Sequence, residues 1–375
     1  MQDSSDLWSI DTTFNKNNYT QCCNIISYIY NIVNKKQKIT SNDIQSYLAS
    51  DLKIDNAVLI LGTDNYFTES ISDTQIEPTY NLIGIVGQLS EPGKTNIGVI
   101  AFRGTQSDQN WTSNLVSNVV QQLDISKPTD IDPTMPGKYV TLPDVPPTKF
   151  KPDTKVGKGW YELYTRVQGA KTVTGCICAG PCNVRLENNF MNADNCIIID
   201  PDLVSTIDNN GTCKPQIAVR DLIGIKGECD GCINHNAASP AIAQIVLDAV
   251  KALQVKGVTS FIITGHSLGG ALATICSYHL AKTGVDIHSI YTFASPKTGN
   301  DVFVNDYNTI IPESKVFRVY NSKDIVTSVP IFFTHVANDK YNIKCTNDQC
   351  KDWSVGDYHS LVKDYKNLGI DYFFH

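Results

Sequence analysis

The chain has 375 residues, 42% of them hydrophobic and 18% charged, and a formal net charge of −7. That length holds one large α/β domain or two smaller ones, and the apolar share is ample for a sizeable core. The acidic balance, with no long basic cluster, argues against nucleic acid as a partner. No run approaches the ~18 apolar residues that a membrane-spanning helix requires.

In chain order, Met1 to Thr20 is polar and lacks an apolar centre, so as it stands it is not a signal peptide. Cys22, Ile25, Ile26, Ile29 and Ile32/Val33 recur at helical spacing and predict a helical region over 20–50. Two apolar runs, 80–89 and 96–102, flank Ser90-Glu91-Pro92-Gly93-Lys94-Thr95, and this turn chemistry predicts an antiparallel hairpin. Residues 124–158 carry seven prolines and little periodicity, which predicts a long surface loop, with helix resuming at Gly159 to Val167. Residues 168–236 are rich in Cys, Asn, Gly and Asp and too poor in apolar residues for a core of their own. They are expected to be a disulfide-tied insertion in a single domain spanning 1–375. From Pro240 the pattern is helix (240–256), strand (258–264), helix, strand (287–293), helix (299–310) and strand (315–321). Strands alternating with helices imply a mainly parallel sheet covered on both faces.

Seven of the 12 cysteines fall in the insertion: Cys176, Cys178, Cys182, Cys196, Cys213, Cys229 and Cys232. Cys229-x-x-Cys232 with His235 nearby is half of a zinc signature, but no second C-x-x-C accompanies it and the remaining spacing is irregular, so disulfides are expected and no metal. Seven is odd, so at least one of these cysteines pairs elsewhere or stays a thiol. Cys276 reads as a small buried hydrophobe. Sequons at Asn18, Asn110 and Asn210 agree with the cysteine count in pointing to a secreted or lumenal glycoprotein whose signal peptide has been removed.

The most specific feature is Gly265-His266-Ser267-Leu268-Gly269-Gly270. It follows the β-branched run Val258 to Thr264 and precedes the helix-forming Ala271 to Cys276, the strand–turn–helix context of a nucleophile elbow. A serine at such a turn is strained and exposed, and side chains at Gly265 or Gly269 would collide with neighbouring backbone. The helix N-terminus beside it favours a developing oxyanion.

A serine hydroxyl needs a base, and the base needs an orienting carboxylate; elbow enzymes place them in the order Ser, Asp or Glu, His. Asp324 is the best-placed acid, in a short loop after a β-rich strand, although a turn-capping Asp would look the same. Asp301 and Asp306 read as the polar face of a helix, and Asp286 precedes a strand. Among histidines, His279 points away on the elbow helix, His288 opens a strand, His335 sits in an expected strand and His375 is terminal. His359, in Gly356-Asp357-Tyr358-His359-Ser360-Leu361 before the last helix, is the expected base. The oxyanion donors are expected to be the backbone N–H groups of Leu268 and Thr105, the latter after the strand ending Phe102-Arg103-Gly104.

Together these segments resemble the class 3 lipases, the fungal lipase-like α/β hydrolases. Ile100 to Thr105 and Asn110 to Leu115 are similar to that family's oxyanion strand and lid, and Gly157-Lys158-Gly159-Trp160-Tyr161 to its next turn. Gly265 to Gly270 resembles its elbow, and Phe293 to Asn300 the strand and loop that follow. The Asp324 and His359 segments resemble the family's triad. The likeness covers roughly 80–165 and 238–370; the polar N-terminus, residues 168–236 and the lid sequence depart from it. It implies an α/β-hydrolase fold, hydrolysis of carboxylic esters, commonly acylglycerols, a lid over the serine, and a cysteine pair at Cys345 and Cys350.

Over 106–120, Trp111, Leu115 and Val119 recur every four residues with Val116 and Val120 beside them, opposite Gln, Ser, Asp and Asn. Such a helix can close an apolar acyl pocket or lie on lipid, and it can equally be an ordinary surface helix. The expected activity is therefore that of a serine ester hydrolase, a triacylglycerol lipase or carboxylesterase. The substrate is an ester lipid, lipid-interface contact is transient, no metal or organic cofactor is needed, and the chain is monomeric. An esterase for feruloyl or other polar esters is the rival within the enzymes. A catalytically dead binding protein is the rival outside them.

Overall fold

In a computed structural model of the chain, the described residues are 6–35, 41–63, 80–105, 122–126, 142, 145–165, 184–186, 189–191, 206–207, 213–214, 241–337, 340–345 and 347–374. The central sheet has seven strands: β1 (Ile54–Thr63), β2 (Tyr80–Leu89), β3 (Ile97–Phe102), β4 (Ser260–His266), β5 (Asp286–Phe293), β6 (Val316–Asn321) and β7 (Tyr341–Ile343). They lie side by side in chain order. Only β2 runs antiparallel to its neighbours; β3 through β7 pair in parallel, with Ile263 opposite Ile100 on one side and Ile290 on the other. The hairpin expected over 80–102 and the mainly parallel sheet are both present.

Alternation along the inner strands builds a core on each face, because successive side chains of a strand point to opposite sides. Ile100, Phe102, Phe261 and Ile263 face one way, beneath helices α3 (Lys158–Thr165), α4 (Ile242–Val255), α5 (Leu268–Lys282) and α6 (Asp301–Ile310). Val99, Ala101, Ile262 and Phe293 face the other way, beneath α1 (Lys16–Lys35) and the C-terminal helical turns Leu361–Leu368 and Gly369–Phe374. β4 is buried along its whole length, which is why Phe261, Ile262 and Ile263 follow one another without polar residues between them.

Several expectations need correction. The helical region over 20–50 is two helices, α1 from Lys16 and α2 (Ser41–Asp51), and β1 follows where no strand was expected. The loop over 124–158 does not merely skirt the surface. Ile125, Leu142, Val145, Phe150 and Val156 are buried under α3 and α5, and Gln122–Asp124 pairs antiparallel with Lys155–Gly157. Prolines broke the periodicity there without removing the apolar anchors. Asp306 is not on a solvated face: it is buried, accepts from Tyr278 Oη at 2.5 Å and pairs with Lys282 at 2.7 Å. His335 sits in a loop beside a single bridging residue, Thr334, and not in a strand.

The polar N-terminus is tied down. Trp8 is fully buried, its indole donates to the Leu52 carbonyl, and the backbone N–H groups of Leu7 and Trp8 donate to the Glu91 carboxylate. Lys94 Nζ donates to Glu91 and to the Trp8 carbonyl at 2.6 Å, so the β2–β3 turn clasps the strap that leads into α1. A buried Lys and Glu are tolerated because each satisfies the other and the strap's backbone. Asn18 is likewise buried, with its amide oxygen accepting from Ser9 N–H and its amide nitrogen donating to the Ser9 carbonyl. Glycan addition at this sequon would require those bonds to break; Asn110 and Asn210 lie outside the described residues.

Cys345 and Cys350 form a disulfide, while Cys22, Cys23 and Cys276 are buried thiols. Within 168–236 the described residues are two short strand pairs, Val184–Leu186 with Asn189–Met191 and Thr206–Ile207 with Cys213–Lys214. The expected insertion disulfides, and the lid helix with Trp111, Leu115 and Val119, lie outside the described residues. Among the described residues, no helix is long and apolar enough to cross a membrane.

Candidate active site

The site is assembled at the carboxyl ends of the central strands. β4 ends at His266, and the chain turns into α5 through Ser267, whose φ of 57° and ψ of −126° no β-strand or helix would give it. Non-glycine residues take positive φ only at a cost, and the surroundings over-determine it here. Ser267 N–H donates to the Phe293 carbonyl of β5 at 2.9 Å, and its hydroxyl makes no capping bond to α5. A Cβ on Gly265 would lie 2.0 Å from the Gly269 carbonyl oxygen, and one on Gly269 would lie 2.5 Å from the carbonyl oxygens of Phe102 and Arg103. The elbow glycines are therefore required by backbone packed on backbone.

The loop after β3 closes on the same point. A Cβ on Gly104 would come within 2.8 Å of Ser267 Cβ and of the His266 carbonyl oxygen. Arg103 is buried and braces this loop: Nε donates to the Leu82 carbonyl and Nη1 to the Gly104 carbonyl, both at 2.6 Å. That role accounts for an arginine between Phe102 and Gly104. Thr105, the next residue, is half-buried.

Asp324 follows β6 and is fully buried. Its Oδ1 accepts from Val326 N–H at 3.0 Å, capping the short turn Ile325–Ser328. Its Oδ2 accepts from His359 Nδ1 at 2.8 Å and from Tyr365 Oη at 2.7 Å. The turn-capping bond and the bond to His359 thus coexist on its two oxygens. His359 ends the one-turn helix Val355–His359, which a Ser354–Asp357 capping box fixes in place. With Nδ1–H directed at Asp324, a neutral ring carries its lone pair on Nε2. His359 also lies against the elbow: its carbonyl accepts from His266 Nε2 at 2.9 Å and the two rings are 4.9 Å apart between centroids.

The other described histidines weighed as the base are committed elsewhere, and His375 lies outside the described residues. His279 Nδ1 bonds Tyr164 Oη, His288 bonds the Ile10 carbonyl and Ser289, and His335 Nε2 donates to the Thr327 carbonyl at 2.7 Å. Burial, with help from the Arg318 charge, pulls His335 down to about 3.

Tyr365, Asp364, His266 and Tyr30 were not singled out from sequence. Asp364 is fully buried; Oδ1 accepts from Asn321 Nδ2 at 3.2 Å, and Oδ2 has no partner among the described residues. Burial first, then the Asp324 charge, raises its pKa to about 8. A folded-state value above the unfolded one near 4 means the native protein holds this proton more tightly. The stabilisation is then complete below about pH 4 and lost as pH rises through about 8, each unit corresponding to about 1.4 kcal/mol. Asp364→Asn, which copies the protonated carboxyl, should leave the unfolding midpoint little changed at or below about pH 4 and raise it at pH 9. Denaturant titrations across that range check this, and parallel pH profiles for the two proteins would refute it.

A mainly parallel sheet with a serine at the strand-to-helix turn of a central strand defines an α/β hydrolase. Residues 219–334 match the family model described as lipase (class 3). The match starts within the Cys-rich segment and spans the elbow and Asp324. The chain is similar to secreted mono- and diacylglycerol lipase 1 of Fusarium solani, 40% identical over 109 residues, 27% of this chain and 32% of that one. It is also similar to phospholipase A1-II 1 of Oryza sativa subsp. indica, 39% identical over 75 residues, 19% of each chain. The matched stretches thus span a third or less of these relatives' length. Among solved structures, Lip2 lipase from Yarrowia lipolytica aligns with 88% of this chain and 79% of its own at 14% identity, with a TM-score of 0.44.

Proposed function

We propose that the chain is a serine ester hydrolase acting on acylglycerols. Ser267 is the nucleophile, His359 the general base and Asp324 the carboxylate that orients it. The observation that carries this reading is the buried Asp324–His359 pair, 2.8 Å apart, docked through the His359 carbonyl onto the residue before Ser267. His359 Nε2 takes the hydroxyl proton as Ser267 Oγ attacks the ester carbonyl, and Asp324 stabilises the imidazolium that forms. Backbone N–H groups of Thr105 and Leu268 hold the oxyanion. The alcohol leaves with the proton from His359, and water activated by the same ring releases the fatty acid. Residues 106–120 are the lid, and the chain is secreted, in keeping with the name of its Fusarium relative.

The test is a panel of p-nitrophenyl esters of rising acyl length with emulsified triolein, phosphatidylcholine vesicles and methyl ferulate. The expected preference is for emulsified acylglycerol. Trp111→Ala and Leu115→Ser should depress that activity more than hydrolysis of p-nitrophenyl acetate, because only an interface meets the apolar stripe, at roughly 25 cal/mol per Å² removed from water. Equal losses on both would make 106–120 an ordinary surface helix. A preference for vesicles would name a phospholipase, one for methyl ferulate a polar-ester esterase, and no turnover of any ester would overturn the reading.

A further inference from the structure

Two side chains outside the Ser267, His359 and Asp324 set connect the parts of the site. Tyr30, on α1, has its hydroxyl 2.7 Å from Gly104 N and 2.9 Å from His266 Nδ1. His266 Nε2 is 2.9 Å from the His359 carbonyl oxygen. The proton positions follow from the partners. A carbonyl oxygen only accepts, so Nε2 carries the hydrogen; in a neutral ring Nδ1 then accepts, and the Tyr30 hydroxyl donates to it. The Tyr30 oxygen in turn accepts from Gly104 N–H. His266 is buried, and that burial, reinforced by the His359 ring, holds its pKa well below the ordinary histidine range and keeps the ring in this neutral form.

We propose that Tyr30 and His266 are positioning residues that hold the loop after β3 and the His359 loop in register with Ser267, through the chain Gly104 N–H, Tyr30, His266 and His359 C=O. The chain touches the residue before Thr105, the residue before Ser267, and the backbone of His359 itself. The inference rests on the triad reading above, since register matters only if these groups act together. Displacements of about 1 Å at such a site can cost on the order of 100-fold in rate.

The experiment uses the full chain, short soluble p-nitrophenyl esters and a serine-directed phosphonate. Tyr30→Phe keeps the ring and removes the link. It is expected to lower kcat about 10- to 100-fold with KM within about twofold, to slow phosphonate labelling of Ser267 in proportion, and to leave the unfolding midpoint nearly unchanged. His266→Gln, whose amide can still donate to the His359 carbonyl, should retain more kcat than His266→Asn, whose shorter side chain cannot reach it. The pair Tyr30→Phe and His266→Asn should lose less than the product of the single losses, because both break one chain. A Tyr30→Phe enzyme with wild-type kcat and labelling rate would overturn the inference while leaving the triad intact. So would a kcat loss matched by a fall in folded fraction, or His266→Asn equal to His266→Gln. Failure of the wild-type protein to take up the phosphonate at Ser267 would instead remove the triad reading, and this inference with it.

Discussion

Ser267→Ala is expected to abolish ester hydrolysis, with a fall in kcat of at least about 10⁴-fold and no loss of fold. The size follows from the chemistry. Without the hydroxyl there is no acyl-enzyme, and only binding and the oxyanion donors remain to accelerate attack by water. Stability should be spared because the Ser267 side chain caps nothing on α5, while its backbone bond to Phe293 survives the change. The substituted residue still has to adopt positive φ, so the unfolding midpoint is the control that separates lost chemistry from lost structure. In the unaltered protein a serine-directed phosphonate should label Ser267 alone. Labelling elsewhere, or activity surviving in the alanine variant, would sink the mechanism.

His359→Ala is expected to cost about as much as the serine change, since nucleophile and base act as a unit and the second loss adds little once the first is made. His335→Ala is the matched control. His335 is a histidine of the same stretch, bonded to the Thr327 carbonyl and held near pKa 3, so it cannot serve as a base near neutrality. It should keep most of the activity. Asp324→Asn should lose less than His359→Ala, yet heavily, because an amide in that buried place can donate its N–H to His359 Nδ1 and leave the ring proton on Nε2, where the base must accept. An inactive His335→Ala beside an active His359→Ala would reverse the assignment of the base.

How much of this could be read beforehand depends on how local each signal is. The elbow was legible because its glycines, its β-branched strand and its helix are contiguous. Asp324 and His359 were nominated by chain order and by their places at the ends of elements, and the structure brings their side chains together. Asp306 was misread because a helix projection cannot show that Lys282 and Tyr278, on a neighbouring helix, would enclose it. The 124–158 segment was misread because prolines erase periodicity whether or not the side chains between them are buried.

The sequence by itself determined the strand–turn–helix around Ser267, the hairpin over 80–102, the parallel character of the sheet from β3 onward and the candidates for nucleophile, acid and base. These follow from short-range rules: periods of two and 3.6 residues, glycine where backbone must approach backbone, and turn chemistry between apolar runs. Only the tertiary structure decided that Tyr365 shares Asp324 with His359, that Asp364 is sealed beside them, and that Tyr30 reaches Gly104 and His266 across 74 and 236 residues of chain. A hydroxyl or carboxyl has the same local signature whether solvated or buried. Its partners and its proton are set by which elements pack together, and that is a property of the whole chain.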